Sequence, residues 1–211
     1  MKLILKNNLS NVDKIANIIR AINYREEYGI KFTSLNNSEY KNLYYDDNFE
    51  IDNYTEINDK CSPKVFEAFL NSNEIIYYDG VLPTNVDVLN KHRKTLKFNK
   101  KNFYKFTVGI LGSNFDKKNK EIENKCLSKI KFHSDYKTFN CLDNNLKNKN
   151  DIEIIETLGS CDLIFAPPCL LAYIVSFSFK TPYINLLRLN NINDDESFNN
   201  ILNEAKPVHI V

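Results

Sequence analysis

Short apolar runs alternate with amphipathic stretches along almost the whole chain, and this alternation limits the fold more than any single motif. Leu3-Ile4-Leu5 is an apolar run of strand length. Behind it Ser10 can cap a helix, and Val12, Ile15, Ala16, Ile19 and Ile22 recur with the 3.6-residue period. Residues 30–33 read as a second strand, 39–45 as a short helix, and 49–54, alternating apolar and polar, as a third strand. Ser62-Pro63 starts a helix, with Ser as cap and Pro at the first helical position. Val65, Phe66, Phe69 and Leu70 form its apolar face. Residues 74–78 make the next strand, ended by Asp79-Gly80. Further on the pattern restarts. Strands are expected at 106–111, 136–142, 162–166, 183–187 and 207–211, with helices at 117–131, 152–158, 169–179 and 195–205. Strand–helix repeats of this kind imply parallel sheets covered by helices.

Between the two runs of repeats the pattern breaks. Pro83 and the basic residues Lys91, Arg93, Lys94, Lys97, Lys100 and Lys101 read as a linker over 83–101. It is either a solvated connection or a patch that meets an anionic lipid or acceptor surface. The predicted fold class is therefore α/β, as two small Rossmann-like domains facing a cleft. Residues 1–82 form an N-terminal α/β domain and 102–211 a C-terminal α/β domain. Ligands of open α/β sheets sit beyond the C-terminal strand ends. That directs attention to the loops at 7–13, 112–117, 143–145 and 166–169.

Composition excludes several classes. With 28 Lys and Arg against 27 Asp and Glu, no nucleic-acid partner is expected. The opening MKLILKNNLSNVDK has a three-residue apolar stretch, against the ~7–15 of a secretory signal. The most apolar window, 163–187, is broken by Pro167, Pro168, Lys180 and Pro182, so no membrane span of ~20 residues is expected. Five cysteines, odd in number and without a C-x-x-C pair, argue against a disulfide framework or a zinc site. His92, His133 and His209 show no metal-ligand spacing. These features predict a reducing, cytoplasmic location and no metal. Five glycines leave little room for a Gly-rich phosphate loop.

Several segments carry a resemblance to a known family. They are Lys6-Asn7-Asn8-Leu9-Ser10-Asn11-Val12-Asp13 followed by Ile18-Ile19-Arg20-Ala21-Ile22, then Tyr40-Lys41-Asn42-Leu43 and Asp47-Asn48-Phe49-Glu50-Ile51-Asp52. In the second half they are Val108-Gly109-Ile110-Leu111-Gly112-Ser113 and Ile155-Glu156-Thr157-Leu158-Gly159-Ser160-Cys161-Asp162-Leu163-Ile164. In these segments and their order the chain resembles the heptosyltransferase-like glycosyltransferases (glycosyltransferase family 9, GT-B fold). Two departures stand out. The glycine before the family's catalytic aspartate has no counterpart beside Asp13. The donor segment after the fifth strand is replaced by Pro167-Pro168-Cys169-Leu170-Leu171.

The resemblance implies a metal-independent glycosyltransferase. It would move a sugar from a nucleotide-sugar donor to a saccharide or lipid-linked acceptor, with no cofactor beyond the donor itself. Asp13 would be the general base that takes the acceptor proton, with Ser10 and Asn11 lining the acceptor side. Ser10-x-x-Asp13 is equally a variant of the capping box. Gly112, Ser113 and Asn114 would offer backbone N–H groups to the diphosphate, and Lys117 or Lys118 would balance its charge. The Gly112 turn reads equally as a plain strand-to-helix connection. Asp143 would meet the donor ribose, and Cys169 would stand where a helix opens toward the phosphates. The lost donor segment keeps open a non-catalytic GT-B-like binding or assembly protein, or another nucleotide-binding α/β enzyme. A peripheral membrane contact through the run from Lys91 to Lys101, and assembly into a homo-oligomer, are further expectations.

Overall fold

The computed structural model of the protein describes residues 1–6, 8–35, 38–51, 53–58, 61–111, 136–140, 146 and 149–185, with positions 121, 124, 196, 197 and 200. The chain forms two units, Met1–Lys97 and Phe98–His209.

In the first unit β1 (Lys2–Leu5) leads into α1 (Asn11–Tyr28). Ser10 caps α1 in extended conformation, and Gly29 ends it at φ 65°, a left-handed turn that suits glycine. β2 (Lys31–Ser34) follows, then a 3₁₀ turn at Ser38–Leu43, β3 (Thr55–Asn58), α2 (Pro63–Leu70) and β4 (Ile75–Asp79). The strands lie in the order β2-β1-β4-β3, all parallel. Leu3, Ile4 and Leu5 are fully buried in the centre of the sheet. The rings of Tyr24 and Phe66 lie 5.4 Å apart, and Phe66 meets Tyr78 edge-on at 5.5 Å. Those contacts tie α1 and α2 to β4. The outer edge of β2 is covered by side chains: Asp47 Oδ2 accepts from Phe32 N and Asp46 Oδ1 from Ser34 N. An edge closed this way cannot template another strand.

Two expectations change here. Of residues 49–54, expected as a strand, the described ones form none, and the strand lies later, at Thr55–Asn58. Ile51 and Tyr54 are 47% and 51% exposed, so the alternation at 49–54 does not mark a half-buried strand. The stretch 83–101, expected as a linker, contains the helix α3 (Val86–His92). Asn85 caps it by accepting from Val88 N, and Val88 and Leu89 are buried as α3 packs on α1. Asn23 then grips Lys94 twice, donating to its carbonyl at 2.8 Å and accepting from its N–H at 2.9 Å. Lys91 pairs with Glu27 at 2.7 Å and Lys94 with Glu26 at 3.9 Å, while His92 also meets Glu27. Much of the basic run is thus structural.

In the second unit β5 (Phe106–Ile110) and β6 (Tyr136–Asn140) precede α4 (Asp151–Gly159), β7 (Leu163–Ala166), α5 (Leu170–Phe179) and β8 (Tyr183–Asn185). Again the sheet is parallel, in the order β6-β5-β7-β8. Residues 98–101 belong to this unit. Asn99 donates to the Glu156 carboxylate through both N and Nδ2, and Lys101 donates to Ser160 Oγ and Thr157 Oγ1. Gly159 lets α5 approach, since a Cβ there would stand 2.2 Å from the Phe179 ring. The expected helices at 117–131 and 195–205 and the strand at 207–211 lie wholly or largely outside the described residues. Among the described residues no helix is long and apolar enough to cross a membrane.

Candidate functional site

The described candidate residues lie at the C-terminal ends of strands, because α1 follows β1 and α5 follows β7. In the first unit that edge joins the β1–α1 loop to the loop after β4. Ser10 Oγ accepts from Asp13 N at 3.3 Å and donates to Asp13 Oδ2 at 2.5 Å. The structure thus brings Ser10, Asn11 and Asp13 together at the start of α1, and it realises the cap. Asp13 Oδ1 carries no hydrogen bond among the described residues. Beside this loop Lys6 Nζ reaches Asp79 Oδ2 at 2.9 Å, bridging the ends of β1 and β4. That hydrogen bond, with the Asp79 charge, raises the Lys6 pKa above its ordinary value.

The loop after β4 turns at Gly80, whose φ of 139° favours a residue without Cβ. Asn17, fully buried on α1, holds this loop. Its Nδ2 donates to Gly80 O at 2.7 Å, and its Oδ1 accepts from Leu82 N at 2.8 Å. Tyr24 Oη donates to Pro83 O at 2.6 Å. Between them on the same helix face Arg20 is 9% exposed, and its Nη1 donates to Asn17 Oδ1 at 3.3 Å. Burial lowers the pKa of Arg20.

In the second unit the chain leaves β5 toward β6 and returns on the other side of β5 as β7. Such a reversal is a topological switch point, the place where open α/β sheets bind ligands. Leu111 N donates to Phe165 O at 2.9 Å at this point. After β7, Pro167 and Pro168 lead to Cys169, which caps α5 in extended conformation with no side-chain hydrogen bond. The first turn of α5 therefore keeps N–H donors that its cap residue does not take. The Cys169 thiol is free and half-buried. Gly112, Ser113, Asn114, Lys117 and Asp143 lie outside the described residues.

No family model, curated protein or solved structure matches this chain.

Its own residues therefore carry the functional reading. Among the described residues no group of three or more His, Cys, Asp or Glu side chains is placed to hold a metal ion. Sequence reasoning missed Lys6, Asp79, Asn17 and Arg20. One signal could have found the last two. Asp13, Asn17, Arg20 and Tyr24 recur at helical spacing, a polar stripe through a helix whose residues 15–24 are all buried. A polar stripe in a buried helix needs partners.

Proposed function

We propose that this chain is a GT-B-like glycosyltransferase that moves a sugar from a nucleotide-sugar donor to a saccharide or lipid-linked acceptor. The observation that carries the reading is the start of α5. It stands at the switch point of a parallel sheet, and its cap residue, Cys169, leaves the first-turn N–H groups untaken. Helix starts of this kind favour phosphate groups through donors and dipole together. The donor diphosphate would lie there, with Gly112, Ser113 and Asn114 adding backbone donors and Lys117 balancing charge. Asp143 would meet the ribose.

On the first unit Asp13 would act as base. As the bond from the acceptor oxygen to the anomeric carbon forms, the bond from that carbon to the diphosphate breaks. The acceptor proton passes to Asp13 Oδ1, while Ser10 holds Oδ2 in place.

One observation favours a second reading. The Ser10–Asp13 pair already accounts for this carboxylate as a helix cap. A non-catalytic GT-B-like binding protein would keep the nucleotide site and transfer nothing. Calorimetric titration with UDP, GDP, ADP and CMP and their sugar conjugates tests the shared part. Asp13→Asn then separates the two, because a catalyst loses turnover and a binder keeps its affinity.

A further inference from the structure

Arg20 is a buried cation with no ion pair among the described residues. It is 9% exposed, and its one hydrogen bond among the described residues runs from Nη1 to Asn17 Oδ1. Asn17 is neutral, and its oxygen already accepts from Leu82 N. The Tyr24 and Tyr78 hydroxyls beside it donate to Pro83 O and Val81 O. Asp13 lies seven residues earlier on the same helix face, about 10 Å along the axis; its charge is felt at Arg20, but its carboxylate is hydrogen-bonded to Ser10 and forms no ion pair with Arg20. Arginine stays charged in proteins, and an isolated buried charge is costly, so such groups are ordinarily paired.

The free part of the side chain has a definite shape. Nη1 is committed to Asn17, whereas the Nε–Nη2 edge has no described hydrogen-bond partner and is not sealed from solvent. That edge presents two parallel N–H donors, the geometry that grips two oxygens of one phosphate or carboxylate. Asn17 fixes its direction, since Gly80 O and Leu82 N lock the Asn17 amide in turn.

We propose that Arg20 anchors an oxyanion site on the first unit, taking the phosphate or carboxylate group of a small molecule through its Nε–Nη2 edge. The site does not depend on the transferase reading, because its ligand need be neither donor nor acceptor.

Thermal unfolding at constant ionic strength tests it, with inorganic phosphate, acetate or chloride as the added anion. Phosphate should raise the wild-type Tm by about 4 °C at ten times its dissociation constant, with no comparable rise in chloride. A rise with phosphate alone assigns a phosphate ligand, and a rise with acetate a carboxylate. Arg20→Met should abolish the rise and melt no lower than wild type in chloride, since it removes an uncompensated buried charge. Arg20→Lys keeps the charge without the fork and should show less than half the rise. Equal effects of all three anions on wild type, or a full rise in Arg20→Met, overturn the site. Should Arg20→Met fail to fold, the Arg20 Nε–Hε NMR signal of the wild type decides. Its displacement by phosphate or acetate supports the site, and a fixed signal overturns it.

Discussion

Ser10 and Asp13 hold each other: the Ser10 hydroxyl donates to the Asp13 carboxylate at 2.5 Å and accepts from the Asp13 N–H at 3.3 Å. The pair starts α1 at the end of the central strand and leaves Asp13 Oδ1 open. Ser10→Ala should cost about 1 kcal/mol, as lost N-caps do. Asp13→Asn should cost no more than that while abolishing sugar transfer. Urea unfolding and a transfer assay on both variants check this. Full turnover in Asp13→Asn would leave the residue a cap and nothing else.

Asn17 should matter more to stability than any surface residue of α1. Asn17→Ala strands Gly80 O and Leu82 N in buried surroundings, and each such group costs about 1–3 kcal/mol. A loss of roughly 2–4 kcal/mol is expected, together with faster hydrogen exchange at the Leu82 amide. An unchanged urea midpoint would mean that the loop after β4 is held by other contacts.

Two glycines separate steric from conformational cost. At Gly159 a Cβ would stand 2.2 Å from the Phe179 ring, so Gly159→Ala should cost about 1–3 kcal/mol through overpacking. Phe179→Leu in the same chain should recover part of it. At Gly29 an added Cβ would meet no further group within 4 Å, but φ is 65°, so Gly29→Ala should cost about 1 kcal/mol through backbone strain alone. Recovery by Phe179→Leu in the Gly29 variant would contradict the distinction.

Alkaline pH should weaken the first unit. Burial, with the Asp46 charge beside it, pushes the Tyr44 pKa up to about 12, and burial also raises Tyr24 and Tyr28. An acid whose folded pKa is raised keeps its proton in the fold after the unfolded chain has lost it. Its contribution is therefore complete below pH 10 and falls as pH rises from about 10 to 12. Urea midpoints across that window, with tyrosinate absorbance as the second readout, check the sign. Tyr44→Phe should flatten the fall, and a steeper fall would contradict the assignment.

The elements with local signals were legible in the chain itself. Ser62 and Pro63 mark the start of α2 through cap and fixed φ, and the apolar runs of β1, β4 and β7 read directly as strands. Strand order was not legible, because parallel pairing is decided between distant segments. α3 was hidden for a related reason. Its seven residues bury Val88 and Leu89, while Lys91, Arg93 and Lys94 dominate the composition around them. Of the candidate site, Ser10 and Asp13 were visible as a local motif. Arg20 was not, because α1 carries several charged residues and any one of them reads as solvated until its burial is known.

We propose that the second unit holds a nucleotide-sugar at the start of α5. Calorimetric titration of the whole chain with nucleoside diphosphates and nucleotide-sugars tests it most directly. Saturable binding of at least one of them, with Cys169→Trp abolishing it by blocking the helix start and leaving the fold intact, is the expected result. Absence of any heat or thermal stabilisation at millimolar ligand would contradict it.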